Sequence, residues 1–225
     1  MSIIEHVVVF RVKPDAAPSE VDSMVERVNS LVSLEEPLHL SMGSIARVQS
    51  SPTSSFNFTH ILHIRFSSKE DLNAYAVHPT HVAAVKANSP IVADTMALDW
   101  VAAEEEAQGG ALVPPPGSAV RVTFFKLKEG LGDEVTDEVM RVIKGLQGEL
   151  KLKQSTIQFT SGENFSPGRA KGFSFASLAV FPGLAELEVV DSDGEVGKYH
   201  ENDKIKDHLD CVLVLDFVVP SPKVE

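Results

Sequence analysis

A chain of 225 residues with 43% hydrophobic content can bury two cores of ordinary domain size, and 20 Lys+Arg against 32 Asp+Glu leave a net charge of −12. With no block of basic residues, nucleic acid and anionic membrane surfaces are poor partners, because both demand a positive field. The single cysteine, Cys211, can form no internal disulfide; set in the apolar run Cys211-Val212-Leu213-Val214-Leu215, it reads as core in a reducing compartment.

In chain order, Ile3 to Lys13 is rich in Val, Ile and Phe and predicts a strand. Pro14 to Pro18 and Ser19 suit a helix start, after which Val21, Met24, Val25, Val28, Leu31 and Val32 recur at three- and four-residue steps. Pro37 stops that helix. Leu38 to Val48 predicts a second strand, Ser50 to Ser55 a turn, and Phe56 to Phe66 a third strand. A short helix over Lys69 to Ala76, a break at His78-Pro79, another helical piece and a strand over Val92 to Val101 complete the unit. Residues 103–117, rich in Glu, Gly and Pro, have no periodicity that could be buried and read as a linker.

The second half then repeats the first at a constant offset. Glu5-His6-Val7 lies 115 positions before Val120-Arg121-Val122 (121 − 6 = 115), and the same step pairs Ser51-Pro52 with Ser166-Pro167, Phe58 with Phe173, Phe66 with Phe181 and Leu72 with Leu187. Asp99-Trp100 meets Asp216-Phe217 after a two-residue slip. An offset held this long without a gap means two tandem copies of one domain. The expected divisions are 1–102, the linker 103–117, 118–220 and a tail 221–225. Only the first copy keeps a polar set: His6, His60 and Tyr75 fall opposite Arg121, Phe175 and Val190.

The order β-α-β-β-α-β in each copy predicts an α+β fold, two tandem ferredoxin-like units whose four-stranded antiparallel sheets carry helices on one face. Pairing the copies sheet to sheet would bury the other faces and build a dimeric α/β barrel inside one chain, a pseudo-dimer. A homodimer of whole chains is a further option. No stretch approaches the ~20 apolar residues of a membrane helix. The N-terminus enters a strand pattern rather than a leader, and Pro222-Lys223-Val224-Glu225 is not a peroxisomal tripeptide of the Ser-Lys-Leu kind. The cytoplasm is the expected compartment, with plastid or peroxisome open if signals lie beyond the given ends.

Strand alternation groups His6 with Ile4, Val8, Phe10 and Val12, and His60 with Leu62, Ile64 and Phe66, on mostly apolar faces. His63 alternates onto the other face with Ile61 and Arg65 and is expected to pack near the helices. In Tyr75-Ala76-Val77-His78-Pro79-Thr80-His81 the proline forces a corner, which can bring the Tyr75 phenol and the His81 ring together. An imidazole can act as a general base near neutral pH, and a buried phenol can donate to a carbonyl gaining negative charge, a pairing suited to enolisation and aldol chemistry. The competing reading makes the histidines hydrogen-bonded core residues, with His78 serving only the turn. His39, His200 and His208 have no partner pattern. The His78 and His81 spacing, broken by proline and with no cysteine near, does not suit zinc, and phosphate-loop and hydrolase-elbow motifs are absent.

At Glu5-His6-Val7-Val8-Val9-Phe10-Arg11-Val12-Lys13, Phe58-Thr59-His60-Ile61 and Tyr75-Ala76-Val77-His78-Pro79-Thr80-His81-Val82, the chain resembles the stress-response dimeric α/β-barrel family of plants, which includes a polyketide cyclase. The resemblance covers nearly all of copy one and, more weakly, copy two. It implies that His81 and Tyr75 match a catalytic base and its partner, and that His6 and His60, with His78 beside them, match pocket residues. Some relatives also resemble Mg²⁺ binders at the end of the first helix, where the backbone carbonyls of Val32, Glu35 and Leu38 could ligate a hard cation, the alternative being that they simply bond water; no cofactor is otherwise required. The expected function is a stress- or defence-associated protein with a small hydrophobic-ligand pocket in its first domain. The alternatives are a polyketide cyclase-like enzyme using His81 and Tyr75, and a heat-stable scaffold.

Overall fold

The computed structural model describes residues 2–51, 56–102, 113–152, 158–192 and 202–221. Most of the expected turn over 50–55, most of the linker and nearly all of the 221–225 tail lie outside these residues. In the first copy, β1 (Ile3–Val12) is covered on both faces, so it is buried almost throughout rather than alternating cleanly. α1 (Pro18–Asn29) opens with proline, where a missing N–H costs nothing, and Glu20 Oε2 accepts from the Ala17 N–H at 3.0 Å. Its buried face is Met24 and Val28, four residues apart, and a 3-10 turn over Ser30–Ser33 closes it. β2 (Pro37–Ser51), β3 (His60–Phe66), α2 (Lys69–Val77), α3 (Pro79–Asn88) and β4 (Val92–Ala102) follow. The second copy supplies β5 (Ala119–Leu127), α4 (Asp133–Leu152), β6 (Gln158–Glu163), β7 (Phe175–Phe181), α5 (Leu184–Ser192) and β8 (Leu209–Val218).

All described strand pairings are antiparallel, and the eight strands run as β4-β1-β3-β2-β8-β5-β7-β6. The copies therefore join edge to edge at β2–β8, where the ladder runs from Ile45↔Phe217 to Ser51↔Val212. The two ends of the sheet also meet. The Phe165 N–H donates to the Asp99 carbonyl at 2.9 Å, and Gly162 of β6 sits so close to β4 that a Cβ there would lie 2.9 Å from Trp100 Cδ1. The sheet thus curls on itself, as a barrel must to leave no long free edge.

Its interior is one core contributed by both copies, with Val7, Ile61, Leu98 and Trp100 packing among Val122, Phe124, Leu178 and Phe217. Burying such a side chain stabilises by about 1.5–3 kcal/mol, so parting the copies would forfeit the core of each. The helices lie outside. Under α1–α3, Ile4, Val8, Leu62 and Phe66 meet Met24, Val28, Leu72 and Tyr75; in copy two, Phe125, Phe175 and Val212 meet Val139 and Ile143.

One expectation is overturned: His63 points into the barrel, not toward the helices. Its Nε2 lies 2.6 Å from Glu5 Oε2, while Arg65 Nε and Thr160 Oγ1 donate to the same carboxylate at 3.1 and 3.0 Å, and Arg65 Nη1 donates to Gln158 Oε1 at 2.6 Å. Strand parity correctly separates His63 from His60, but parity alone does not say which face meets helices and which meets the other copy.

Candidate functional site

A cavity of ≈ 740 Å³ lies between the outer face of the first copy's sheet and its helices. Its sheet wall carries His6, Val8, Phe10 and Leu62, and its helix wall carries Leu72, Tyr75, His81 and Ala84. It forms where α2 hands over to α3. His78 caps α3, its Nδ1 accepting from the Thr80 N–H at 3.2 Å, and Pro79 takes the first helical position. That corner turns the chain so that the Tyr75 and His81 rings pack at 4.5 Å between centroids.

Within the cavity three polar side chains have defined states. His81 Nδ1–H donates to the Ala76 carbonyl at 3.0 Å, which places the proton on Nδ1 and leaves Nε2 with its lone pair. Burial lowers the His81 pKa from its ordinary value, so the ring is neutral at pH 7. Burial raises the Tyr75 phenol well above its ordinary value, and its hydroxyl has no hydrogen-bond partner among the described residues. His6 Nδ1 is bound to Asp99 Oδ1 across the β1–β4 ladder, where His6 and Asp99 are register partners. Burial would raise the Asp99 carboxyl, but the His6 hydrogen bond and charge, a Ser166 hydrogen bond and the Arg169 charge hold it below its ordinary value.

Of the residues singled out from sequence, the cavity brings together His6, Tyr75 and His81. His60 is not in its wall: it lies at the far end of β3 opposite Phe10, its Nδ1 2.9 Å from Thr59 Oγ1, with burial lowering its pKa. His78 acts as the helix cap described above. Val32 ends up exposed in the 3-10 turn, and Leu38 sits at an irregularity in the β2–β3 ladder, between Pro37 and His39. In the same stretch of chain Glu36 Oε2 is buried with no hydrogen-bond partner among the described residues, an oxygen of the kind a hard cation takes.

Two wall or supporting residues escaped the sequence reading. Asp99 had left a signal, because the carboxylate recurs as Asp216 while its partner changes. Opposite it, Arg121 Nε and Nη2 donate to Asp216 at 2.8 and 2.9 Å, filling with a bidentate ion pair the place His6–Asp99 holds in copy one. Arg169 gave none, since it reaches the cavity from the other copy.

The comparisons agree with this architecture. The Stress responsive A/B Barrel Domain model matches residues 4–102 and 119–219. The Arabidopsis thaliana stress-response A/B barrel domain-containing protein DABB1 is 45% identical over 221 residues, spanning 98% of each chain. A second stress-response A/B barrel domain-containing protein of the same plant is 44% identical over 220 residues, 97% of this chain and 80% of its own. Among solved structures, a Fusobacterium nucleatum protein proposed to be a monooxygenase aligns over 97% of this chain and 93% of its own at TM-score 0.67 and 14% identity. A Lactobacillus acidophilus protein proposed to be a monooxygenase aligns over the whole of both chains at 0.57 and 11%; at such identities only the fold is shared. No described helix is long and apolar enough to cross a membrane. This chain belongs to the stress-responsive A/B barrel domain family, with two copies of the domain in tandem.

Proposed function

We propose that the first domain takes up a small, largely apolar molecule between its sheet and its three helices. The observation that carries this reading is the ≈ 740 Å³ cavity, whose aliphatic wall includes Val8, Leu62, Leu72 and Ala84, with His6, Tyr75 and His81 placed among them and charged side chains, Lys86, Asp94 and Arg169, also in the wall. That size and that ratio of apolar wall to few placed polar groups are those of small-molecule sites, which run to roughly 300–1,000 Å³. Titration with N-phenyl-1-naphthylamine, whose fluorescence rises in apolar surroundings, tests it. One saturable site is expected, weakened in Ala84→Phe because the ring projects among the lining side chains and narrows the cavity; undiminished binding by that variant would sink the reading.

Acid–base catalysis is the second reading, supported by the proton placement at His81 and the orphaned Tyr75 hydroxyl. Nε2 of His81 would remove a proton α to a carbonyl, and Tyr75 would donate to the enolate oxygen, with His6 held by Asp99 to orient the chain. Cyclisation of a poly-β-keto substrate should slow by roughly 10²-fold or more in His81→Ala, a general-base contribution; equal rates would dismiss catalysis. Mg²⁺ would be held by the carbonyls of Val32, Glu35 and Leu38 with Glu36, and would brace the turn between α1 and β2 rather than enter the cavity chemistry.

A further inference from the structure

We infer that the second copy completes the first copy's cavity with a cationic group, Arg169, so that the ligand is an amphipathic anion, an apolar body bearing a carboxylate, sulfonate or similar acidic group. The inference rests on the cavity reading above and adds to it the class of ligand.

Arg169 ends a 3-10 turn, Pro167–Arg169, in the connection from β6 to β7. That connection is docked on copy one at several independent points. The Asp99 N–H donates to Asn164 Oδ1 at 3.0 Å, and the Phe165 N–H donates back to the Asp99 carbonyl at 2.9 Å. The Phe165 ring packs against the helix-side core of copy one, with Lys69 Nζ 4.0 Å from its centroid. Lys171 Nζ, two residues past Arg169, pairs with Asp94 Oδ1 at 2.8 Å. Anchored on both sides, Arg169 is carried to the cavity wall, where its charge acts on both Asp99 and His81.

The charges around the cavity then fail to cancel. Asp94 is in the wall, but Lys171 and, at 4.0 Å, Arg11 already face it. Asp99 lies behind His6, whose ring it binds, and also feels Arg169; even so, the cations at this end of the cavity, Arg11, Lys86, Arg169 and Lys171, outnumber the two carboxylates. Two cations remain on the wall, Arg169 and Lys86 from α3. An apolar cavity with a surplus guanidinium at its edge selects against neutral ligands of equal shape and favours an anion that the planar fork can grip with two hydrogen bonds. The arrangement is one-sided: the position equivalent to Arg169 in copy one is Ser54 (169 − 115 = 54). The copy that lost the histidines is the one that contributes the arginine.

Two dyes that differ by one sulfonate test this on the full chain: 1-anilinonaphthalene-8-sulfonate and the neutral N-phenyl-1-naphthylamine. The wild type should bind the sulfonate about tenfold more tightly, the worth of a charge-assisted pair. Arg169→Gln should erase that preference while moving the Kd of the neutral dye less than about twofold, and Arg169→Lys should keep part of it. Both dyes should bind more weakly to Ala84→Phe. Equal affinity of the two dyes for the wild type, an unchanged sulfonate Kd in Arg169→Gln, or sulfonate binding undiminished in Ala84→Phe each overturns the anion inference while leaving neutral-dye binding as evidence for the cavity. Failure of both dyes with the wild type removes the cavity reading itself.

Discussion

Tyr75 places a hydroxyl in the interior, 1% exposed, without a partner among the described residues. The hydroxyl lines the cavity, so water or a molecule taken up there can pair with it without disturbing the surrounding core. Tyr75→Phe should change the free energy of unfolding in urea by no more than about 1 kcal/mol, while weakening the uptake of a carbonyl-bearing ligand. A loss of stability with unaltered binding would instead make Tyr75 a scaffold residue. His81 and His6 differ from Tyr75 in being oriented already, one by a backbone carbonyl and the other by a carboxylate. Such second partners fix which nitrogen faces the cavity.

At the scale of elements, the corner between α2 and α3 and the connection between β6 and β7 do most to shape the cavity. His78-Pro79 makes the corner by ending one helix and capping the next, which explains why this histidine sits beside the cavity without entering its wall. The β6–β7 connection depends on close approach of β6 to β4, and Gly162 sets that approach. A Cβ there would meet Trp100 Cδ1 at 2.9 Å and the Val101 carbonyl at 3.0 Å, and Trp100 is fully buried and has no room to yield. Gly162→Ala should cost about 1–3 kcal/mol in chemical denaturation, the usual penalty of overpacking. Gly43→Ala serves as the comparison, since its Cβ would approach nothing nearer than the Val218 carbonyl at 3.4 Å. Equal effects of the two substitutions would mean that the β4–β6 junction is looser than its geometry.

For the whole molecule, the barrel interior couples the copies to acid. Burial would raise the Glu5 carboxyl from 4.5, but the charges of Arg65 and His63 and their hydrogen bonds bring it down to about 2. Burial, with the positive charges of His63 and Arg65, lowers His39 from 6.5 to about 2. Both folded values lie below their unfolded ones, so the unfolded chain binds the extra protons. The His39 contribution is complete above about pH 6.5 and the Glu5 contribution above about pH 4.5, and each is lost as pH falls toward 2. The urea midpoint should hold steady near neutrality, decline below pH 6.5 and fall more steeply below 4.5. His39→Gln should make the upper limb shallower without abolishing it, because burial also lowers His60, His63 and His81 from 6.5. A midpoint that does not respond to acid anywhere below 6.5 would show that these groups carry no proton linkage.

Much of this was legible in the chain itself. A constant offset of 115 residues and the order of strand and helix patterns determine two ferredoxin-like units, and strand parity separates His63 from His6 and His60 (121 − 6 = 115). These signals are local: they come from period and from short-range sterics, which the residues carry with them. Tertiary structure alone decided which face of β3 meets helices and which meets the second copy, and so turned His63 inward, left His60 outside the cavity wall and buried Glu5 with Arg65. It also decided that Arg169 lines the same cavity as His81 across 88 residues of sequence (169 − 81 = 88). Such a meeting depends on how the sheet curls and closes, and the energy that sets it is spread over the whole shared core rather than written at either residue.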